Sequence, residues 1–105
     1  MENEIKLEIF DIMVTNILTE LACIYADLNC DEIDCDPEAI MPALNDAEFD
    51  REEGINKVWE DACESTAFGD MEYWRETYDL SWEEVAKVIN DNKEKITKQV
   101  LGLFN

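Results

Sequence analysis

Residues 3–28, NEIKLEIFDIMVTNILTELACIYADL, contain the longest helical pattern of the chain. Apolar side chains recur there every three or four residues, which is the spacing of one helix face. Phe10, Val14 and Leu18 widen that face, so such a helix needs packing partners on more than one side. The pattern predicts a central helix wrapped by the others. Its main face consists of Ile5, Ile9, Ile12, Met13, Ile17, Leu21, Ile24 and Leu28.

The remainder of the chain predicts shorter helices. Three such patterns cover about residues 37–48, 50–67 and 71–80. Ser81 and Glu84 form a capping box, the start signal of one long final helix. Glycine and proline number only three and two, which argues against a sheet structure with many tight turns. We therefore expect one all-α domain over residues 1–105, a compact bundle of four or five helices.

Negative charge dominates the composition. The 105 residues include 27 Asp and Glu and 8 Lys and Arg, giving a formal net charge of −19. Such a field repels nucleic acid and anionic membranes and speeds association with basic partners at low salt. Solubility requires a smaller net charge, since a magnitude of roughly 2 to 8 is sufficient for a small domain. Either the excess of acids has a function, or it reflects adaptation to high salt or a plain solvated surface.

The sequence shows neither a membrane span nor a secretion signal. No run of eighteen apolar residues is present, and the N-terminus MENEIKLEIF opens with acids rather than a basic region. We therefore expect a cytoplasmic protein that does not bind membranes. In that compartment the four cysteines are expected to be free thiols.

The acidic segment 27–38, DLNCDEIDCDPE, has part of the spacing of a calcium-binding loop. Its oxygen donors at positions one, three, five and twelve are Asp27, Asn29, Asp31 and Glu38. An EF-hand also needs glycine at position six and an apolar residue at position eight, and here these are Glu32 and Asp34. Zinc is not expected either, because histidine and C-x-x-C pairs are absent. We interpret the segment as a solvated turn without metal or cofactor, in which Asp34 or Asp36 caps the next helix.

The composition argues against catalysis. The absence of histidine removes the commonest general base and every Ser-His or Cys-His arrangement. No glycine-rich phosphate loop or other cofactor fingerprint is present. We therefore expect a protein that is not an enzyme and holds no cofactor.

Acids accumulate on the third and fourth predicted helices, where they oppose one another. Like charges four residues apart on a helix cost about 0.2 to 0.5 kcal/mol per pair. Within residues 53–64 and 72–79 the only bases that relieve this repulsion are Lys57 and Arg75, which makes the acids candidates for contact with a cationic partner. The residues predicted to bind it are Asp27, Asp31, Glu32, Asp34, Asp36, Glu53, Glu60, Asp61, Glu64, Glu72, Glu76 and Asp79.

In size, charge and helical character the chain resembles the phage-encoded DNA-mimic inhibitors of restriction and CRISPR systems. The resemblance rests on composition and on no motif, so it assigns no residue a role. It implies an inhibitor that occupies the basic surface of a nucleic-acid-binding protein and binds no nucleic acid itself. The alternative is a small adaptor or regulatory subunit that binds a protein partner through an apolar groove, with acids serving solubility and steering.

The short fourth helix raises a question about its aromatic residues. Met71, Tyr73, Trp74 and Tyr78 cannot all face inward on one short helix. Either one or two of them are exposed beside the acids, as a contact point for a partner, or the extra aromatic packs under the turn at Gly69.

The final helix carries the least acidic part of the chain. Its lysines are Lys87, Lys93, Lys95 and Lys98, and the apolar sequence VLGLF directly precedes the last residue, Asn105. These residues predict either a symmetric homodimer through the C-terminal helix or an intramolecular role, in which the lysines offset acids of the same molecule and the apolar end completes its core.

Overall fold

The computed structural model describes residues 3–27 and 37–104. These residues form helices and contain no strand, which confirms the predicted all-α class. The helices are α1 (Asn3–Tyr25), α2 (Pro37–Asp46), α3 (Arg51–Ala67), α4 (Met71–Tyr78), α5 (Trp82–Asp91) and α6 (Lys93–Leu101). The described residues thus hold six helices, so the predicted number of four or five was wrong.

Helix α1 lies at the centre of the fold. It packs against α2, α3, α5 and α6, and residues such as Ile9, Ile17 and Leu21 are completely buried. Burying each such side chain contributes about 1.5 to 3 kcal/mol. Helices on several sides of α1 explain why its apolar residues extend beyond a single face, as the sequence predicts.

The sixth helix arises because the predicted long final helix is two helices. Helix α5 ends at Asp91, and Asn92 stands between α5 and α6 at φ −115° and ψ 23°. The Asn92 amide Nδ2 donates to the Val88 carbonyl oxygen at 2.7 Å, and the Asn90 amide donates to the Ala86 carbonyl at 3.0 Å. Side-chain bonds of this kind compete with the helical backbone ladder, and they accompany the break.

Two helix starts are fixed by side-chain caps. The Ser81 hydroxyl oxygen accepts a hydrogen bond from the Glu84 backbone N–H at 3.2 Å, which confirms the predicted start of α5. The Asp50 carboxylate accepts one from the Glu53 N–H at 3.1 Å and begins α3. Each cap satisfies a backbone donor that the first turn of a helix leaves unpaired.

Helix α4 is held by one buried ring and two phenols. Trp74 is completely buried, and its indole Nε1 donates to the Thr66 carbonyl of α3 at 2.8 Å. The Tyr73 and Tyr78 hydroxyls both donate to the Glu8 carboxylate of α1. These contacts answer the question about α4, because Tyr73 remains exposed on the surface while Trp74 faces inward.

The cysteines depart from the expectation of free thiols. Cys63 is a free, buried thiol. Cys23, by contrast, is disulfide-bonded. The expectation of free thiols rested on the compartment inferred from the sequence, and it does not hold for Cys23.

The C-terminal segment packs onto its own molecule. Ile96 and Val100 of α6 are completely buried. The Phe104 ring meets the Phe49 ring edge-on at 6.1 Å, and the Arg51 guanidinium lies 4.5 Å from the Phe104 ring centroid. These contacts favour the intramolecular alternative for the apolar end of the chain. Across the described ranges, no helix is both long enough and apolar enough to cross a membrane.

Candidate functional site

The predicted partner-binding acids are solvent-exposed wherever the structure describes them. These exposed residues are Asp27, Glu53, Glu60, Asp61, Glu64, Glu72, Glu76 and Asp79. The other four, Asp31, Glu32, Asp34 and Asp36, lie outside the described residues, together with most of the predicted acidic turn. Exposure alone does not make a site, so the arrangement of these acids on the fold decides which of them act together.

A first surface depression of about 350 Å³ lies where the C-terminal half of α3 meets α1. Glu20 of α1 lines it together with Asp61 and Glu64 of α3, and Phe68 follows at the helix end. Among the described residues, no basic side chain lines this depression. It therefore concentrates three carboxylates from two helices.

A second depression, of about 260 Å³, lies between α3 and α5. Glu60 and Glu64 lie on its α3 side. Phe68 and Trp82 remain 48% and 39% exposed, and their rings meet edge-on with centroids 5.5 Å apart. The lining residues are Trp59, Glu60, Cys63, Glu64, Ala67, Phe68, Trp82, Ala86 and Asn90. Most of these are apolar, so the depression is an apolar groove with acids along one side.

A third depression, of about 360 Å³, lies between α4 and α5. Trp82 lines it as well, together with the acids Glu72 and Glu83, the exposed Met71 and a single base, Arg75. The Ser81 cap places Trp82 and Glu83 here, because it fixes where the first turn of α5 begins.

The three depressions form one continuous surface. Glu64 and Phe68 line both the first and the second, and Trp82 lines both the second and the third. We name this region the acidic aromatic surface. Its defining residues are Glu20, Glu60, Asp61, Glu64, Phe68, Met71, Glu72, Trp82 and Glu83.

The acids of this surface are not neutralised by direct pairing. None of its six carboxylates forms an ion pair with a base in the described part of the chain. Arg75 is the base lining the surface. Lys57 and Lys93 border it, because they line a neighbouring depression with Glu60 and Asp61. The negative charge is therefore available to a partner and has a cationic boundary on one side.

The surface contains part of the predicted site. It brings together Glu60, Asp61, Glu64 and Glu72. The other four described acids of the prediction, Asp27, Glu53, Glu76 and Asp79, line none of the three depressions.

Five residues of the surface were missing from the predicted site: Glu20, Phe68, Met71, Trp82 and Glu83. Glu20 comes from α1, and only the packing of α1 on α3 brings it beside Asp61. For Glu83 a signal was available, since this acid lies in the first turn that follows the Ser81 cap.

The surface lacks an activated nucleophile. Cys63 forms part of the second depression, and burial raises the pKa of its thiol, a shift that the Asn90 amide partly offsets by donating to Sγ at 3.8 Å. A raised pKa favours the protonated and less reactive form. Over residues 3–27 and 37–104, no three Cys, Asp or Glu side chains are arranged to hold a metal ion. The side chains that the surface presents are carboxylates and large apolar groups.

No protein-family model, curated protein sequence or solved structure matches this chain. The functional proposal therefore rests on the acidic aromatic surface itself.

Proposed function

We propose that this protein is a non-enzymatic acidic inhibitor of a basic nucleic-acid-binding protein. Its acidic aromatic surface would occupy the partner's basic surface and exclude DNA or RNA from it. The observation that carries the proposal is the continuity of six carboxylates, five of them exposed and Glu20 half-buried, over three adjoining depressions, with Arg75 as the base among them. Carboxylates so placed can meet the Lys and Arg side chains that otherwise meet phosphates.

The fold supports this role by holding the acids on fixed helices. The buried Trp74 ring and the two phenols bound to Glu8 attach α4, which carries Glu72. The caps at Asp50 and Ser81 define α3 and α5. Preorganised groups lose less conformational entropy on binding, which favours affinity.

Competition with DNA tests the proposal. The immobilised protein should capture basic nucleic-acid-binding proteins from a bacterial lysate at about 0.1 M NaCl, and added double-stranded DNA should release them. Raising the NaCl concentration to about 0.5 M should also release them, because salt shortens the distance over which exposed charges interact to a few ångströms. Captured proteins that stay bound in excess DNA would contradict the proposal.

The exposed Phe68 and Trp82 rings favour a second candidate function, a small adaptor that binds a protein partner through the apolar groove. Salt distinguishes the two candidates. A complex driven by the groove alone should weaken little as salt rises, whereas a complex driven by charge should weaken steeply.

Assembly and location remain predictions. The burial of Ile96 and Val100 leaves these side chains within one molecule, so a homodimer through α6 would have to use exposed residues such as Leu103 and the lysines. Sedimentation at low and high salt would reveal such a dimer. A phage-encoded inhibitor of this kind would act in the cytoplasm of a bacterial host, with no membrane contact.

A further inference from the structure

The acidic aromatic surface contains an apolar contact point as well as charge. Phe68 and Trp82 lie side by side in edge-on contact, and each ring is more than one-third exposed. Large apolar side chains grouped on a surface often mark an interaction site. Polyanion mimicry alone does not explain these rings, because charge recognition needs no exposed aromatic pair.

The size of the groove favours a protein side chain as its occupant. Its volume of about 260 Å³ is below the roughly 300 to 1,000 Å³ of usual small-molecule sites. The groove lies between two packed helices, α3 and α5. Grooves between helices commonly receive the apolar side chains of a third, amphipathic helix.

The charges beside the groove determine what must flank that apolar side chain. Glu60 and Glu64 lie one turn apart on α3, a rise of about 6 Å along its axis. Lys or Arg residues four apart on a partner helix have the same spacing. Glu83 follows Trp82 directly and extends the negative charge beyond the rings. A helix that docks here therefore binds more tightly when basic residues flank the apolar side chain that enters the groove.

A second copy of this chain does not fit this description. Its lysine-bearing helix α6 directs Ile96 and Val100 into its own core. This helix therefore presents lysines to a partner, but its main apolar residues are not accessible.

We propose that the groove binds a basic amphipathic helix of a partner protein. One large apolar side chain of that helix packs against Phe68 and Trp82, and flanking Lys or Arg side chains meet Glu60, Glu64 and Glu83. This deepens the proposed function, because it names the element of the nucleic-acid-binding partner that the surface takes. Such proteins commonly present a basic helix to the major groove of DNA.

Two synthetic helical peptides test this inference. Both have about sixteen residues, long enough to support a helix, and carry the same lysines four apart. One has a leucine at the centre of its contact face, and the other has serine there. The leucine peptide should bind at least tenfold more tightly, as expected for a side chain filling a central apolar pocket, and it should keep more of its affinity at high salt.

Substitutions assign the effect to the groove. Trp82→Ala should remove the preference for leucine while leaving the binding of the serine peptide nearly unchanged. Glu60→Gln with Glu64→Gln should weaken both peptides. Leu7→Ala is the control, since Leu7 is 60% exposed and lies outside the acidic aromatic surface, and it should change neither affinity. Circular dichroism and urea unfolding verify that each variant is folded.

Equal binding of the two peptides would overturn the inference, and so would a leucine preference that survives both Trp82→Ala and Phe68→Ala. These results differ from a failure of the proposed function. If the leucine peptide is preferred and yet DNA does not release the captured proteins, the helix-binding groove is supported and the inhibitory function is contradicted. If DNA releases them and no leucine preference exists, the groove inference falls.

Discussion

At the scale of single residues, the tryptophans divide between core and surface. Trp74 is completely buried and donates its indole N–H to Thr66, whereas Trp82 is 39% exposed and its ring meets that of Phe68. The two rings therefore differ in what they contribute. One stabilises the fold, and the other is available for binding.

Trp74→Ala should lower the free energy of unfolding by about 3 to 5 kcal/mol, because it removes a large buried ring and leaves a cavity. Trp82→Ala should cost less than about 1 kcal/mol, since its ring is partly solvated and leaves no enclosed cavity. Urea denaturation of both variants measures the difference. Similar losses for the two would contradict the assigned roles.

Sequence spacing could predict much of the core but not the exposure of Trp82. The buried residues Ile9, Met13 and Ile17 follow the helical spacing seen in the sequence. Trp82 lies three residues before the buried Val85, a spacing that also suits burial. Its exposure depends on how α4 and α5 meet, and local periodicity holds no information about that.

At the scale of elements, α4 depends on hydrogen bonds that lose their donors at high pH. The pKa values of Tyr73 and Tyr78 are raised, mainly because both hydroxyls donate to the Glu8 carboxylate. The pKa of a tyrosine in the unfolded chain is about 10. Below that pH the hydroxyls keep their protons in both the folded and the unfolded state, so the stabilisation is complete. As the pH rises toward the folded values the unfolded state releases its protons first, so stability must fall.

We therefore expect the free energy of unfolding to decline between about pH 9 and pH 11. The double variant Tyr73→Phe, Tyr78→Phe should decline less steeply, because phenylalanine has no proton to lose. Tyr25→Phe is the matched control, and it should keep the wild-type slope. Urea titrations at each pH measure these slopes, and an unchanged slope in the double variant would count against the role of Glu8.

The cap at Ser81 supports both the start of α5 and the placement of Trp82. Ser81→Ala removes the acceptor for the Glu84 N–H and should cost about 1 kcal/mol. Ser81→Asn should restore most of this, because asparagine also caps well. Ser65→Ala, at an exposed position within α3, should have little effect in the same denaturation assay. A Ser81→Ala variant as stable as the wild type would contradict the stabilising role of this cap.

Element starts could be predicted from the sequence, while the break at Asn92 could not. Ile89 and Ile96 are seven residues apart and both are buried, so the apolar pattern continues through the break as if one helix were present. The side-chain bonds of Asn90 and Asn92 to preceding carbonyls accompany the interruption. The spacing of apolar residues carries no information about such hydrogen bonds.

At the scale of the whole molecule, self-repulsion should make stability depend on salt. The net charge is −19 and the molecule measures 40 × 28 × 20 Å. The Debye length falls from about 30 Å at 0.01 M salt to about 8 Å at 0.15 M. Acids on opposite sides therefore repel one another only at the lower concentration.

We expect Tm to rise with added NaCl over this range. A relief of about 1 kcal/mol corresponds to an increase of about 4 to 8 °C for a domain of this size. Reversing Glu60, Glu64 and Glu72 to lysine should reduce the salt dependence, because each change removes one negative charge and adds one positive charge, which makes the net charge two units less negative. A Tm that falls as NaCl is added would contradict the account of uncompensated acids.

The composition could predict the sign and excess of charge, but not which acids form one surface. The acidic aromatic surface collects residues from α1, α3, α4 and α5. Glu20 and Glu83 lie more than sixty residues apart in the sequence. Only the packing of the helices places them on one surface, and this also explains why Glu53 and Asp79 do not belong to it.

The central claim is that the position of the acids, rather than their number, produces inhibition. The most direct measurement compares two triple variants in the displacement of double-stranded DNA from a captured partner. Glu60→Lys, Glu64→Lys, Glu72→Lys changes the surface, whereas Asp11→Lys, Asp46→Lys, Glu48→Lys makes the same change in net charge at exposed positions outside it. We predict that the first variant loses displacement by at least tenfold and that the second retains it. Equal losses in both variants would contradict the account.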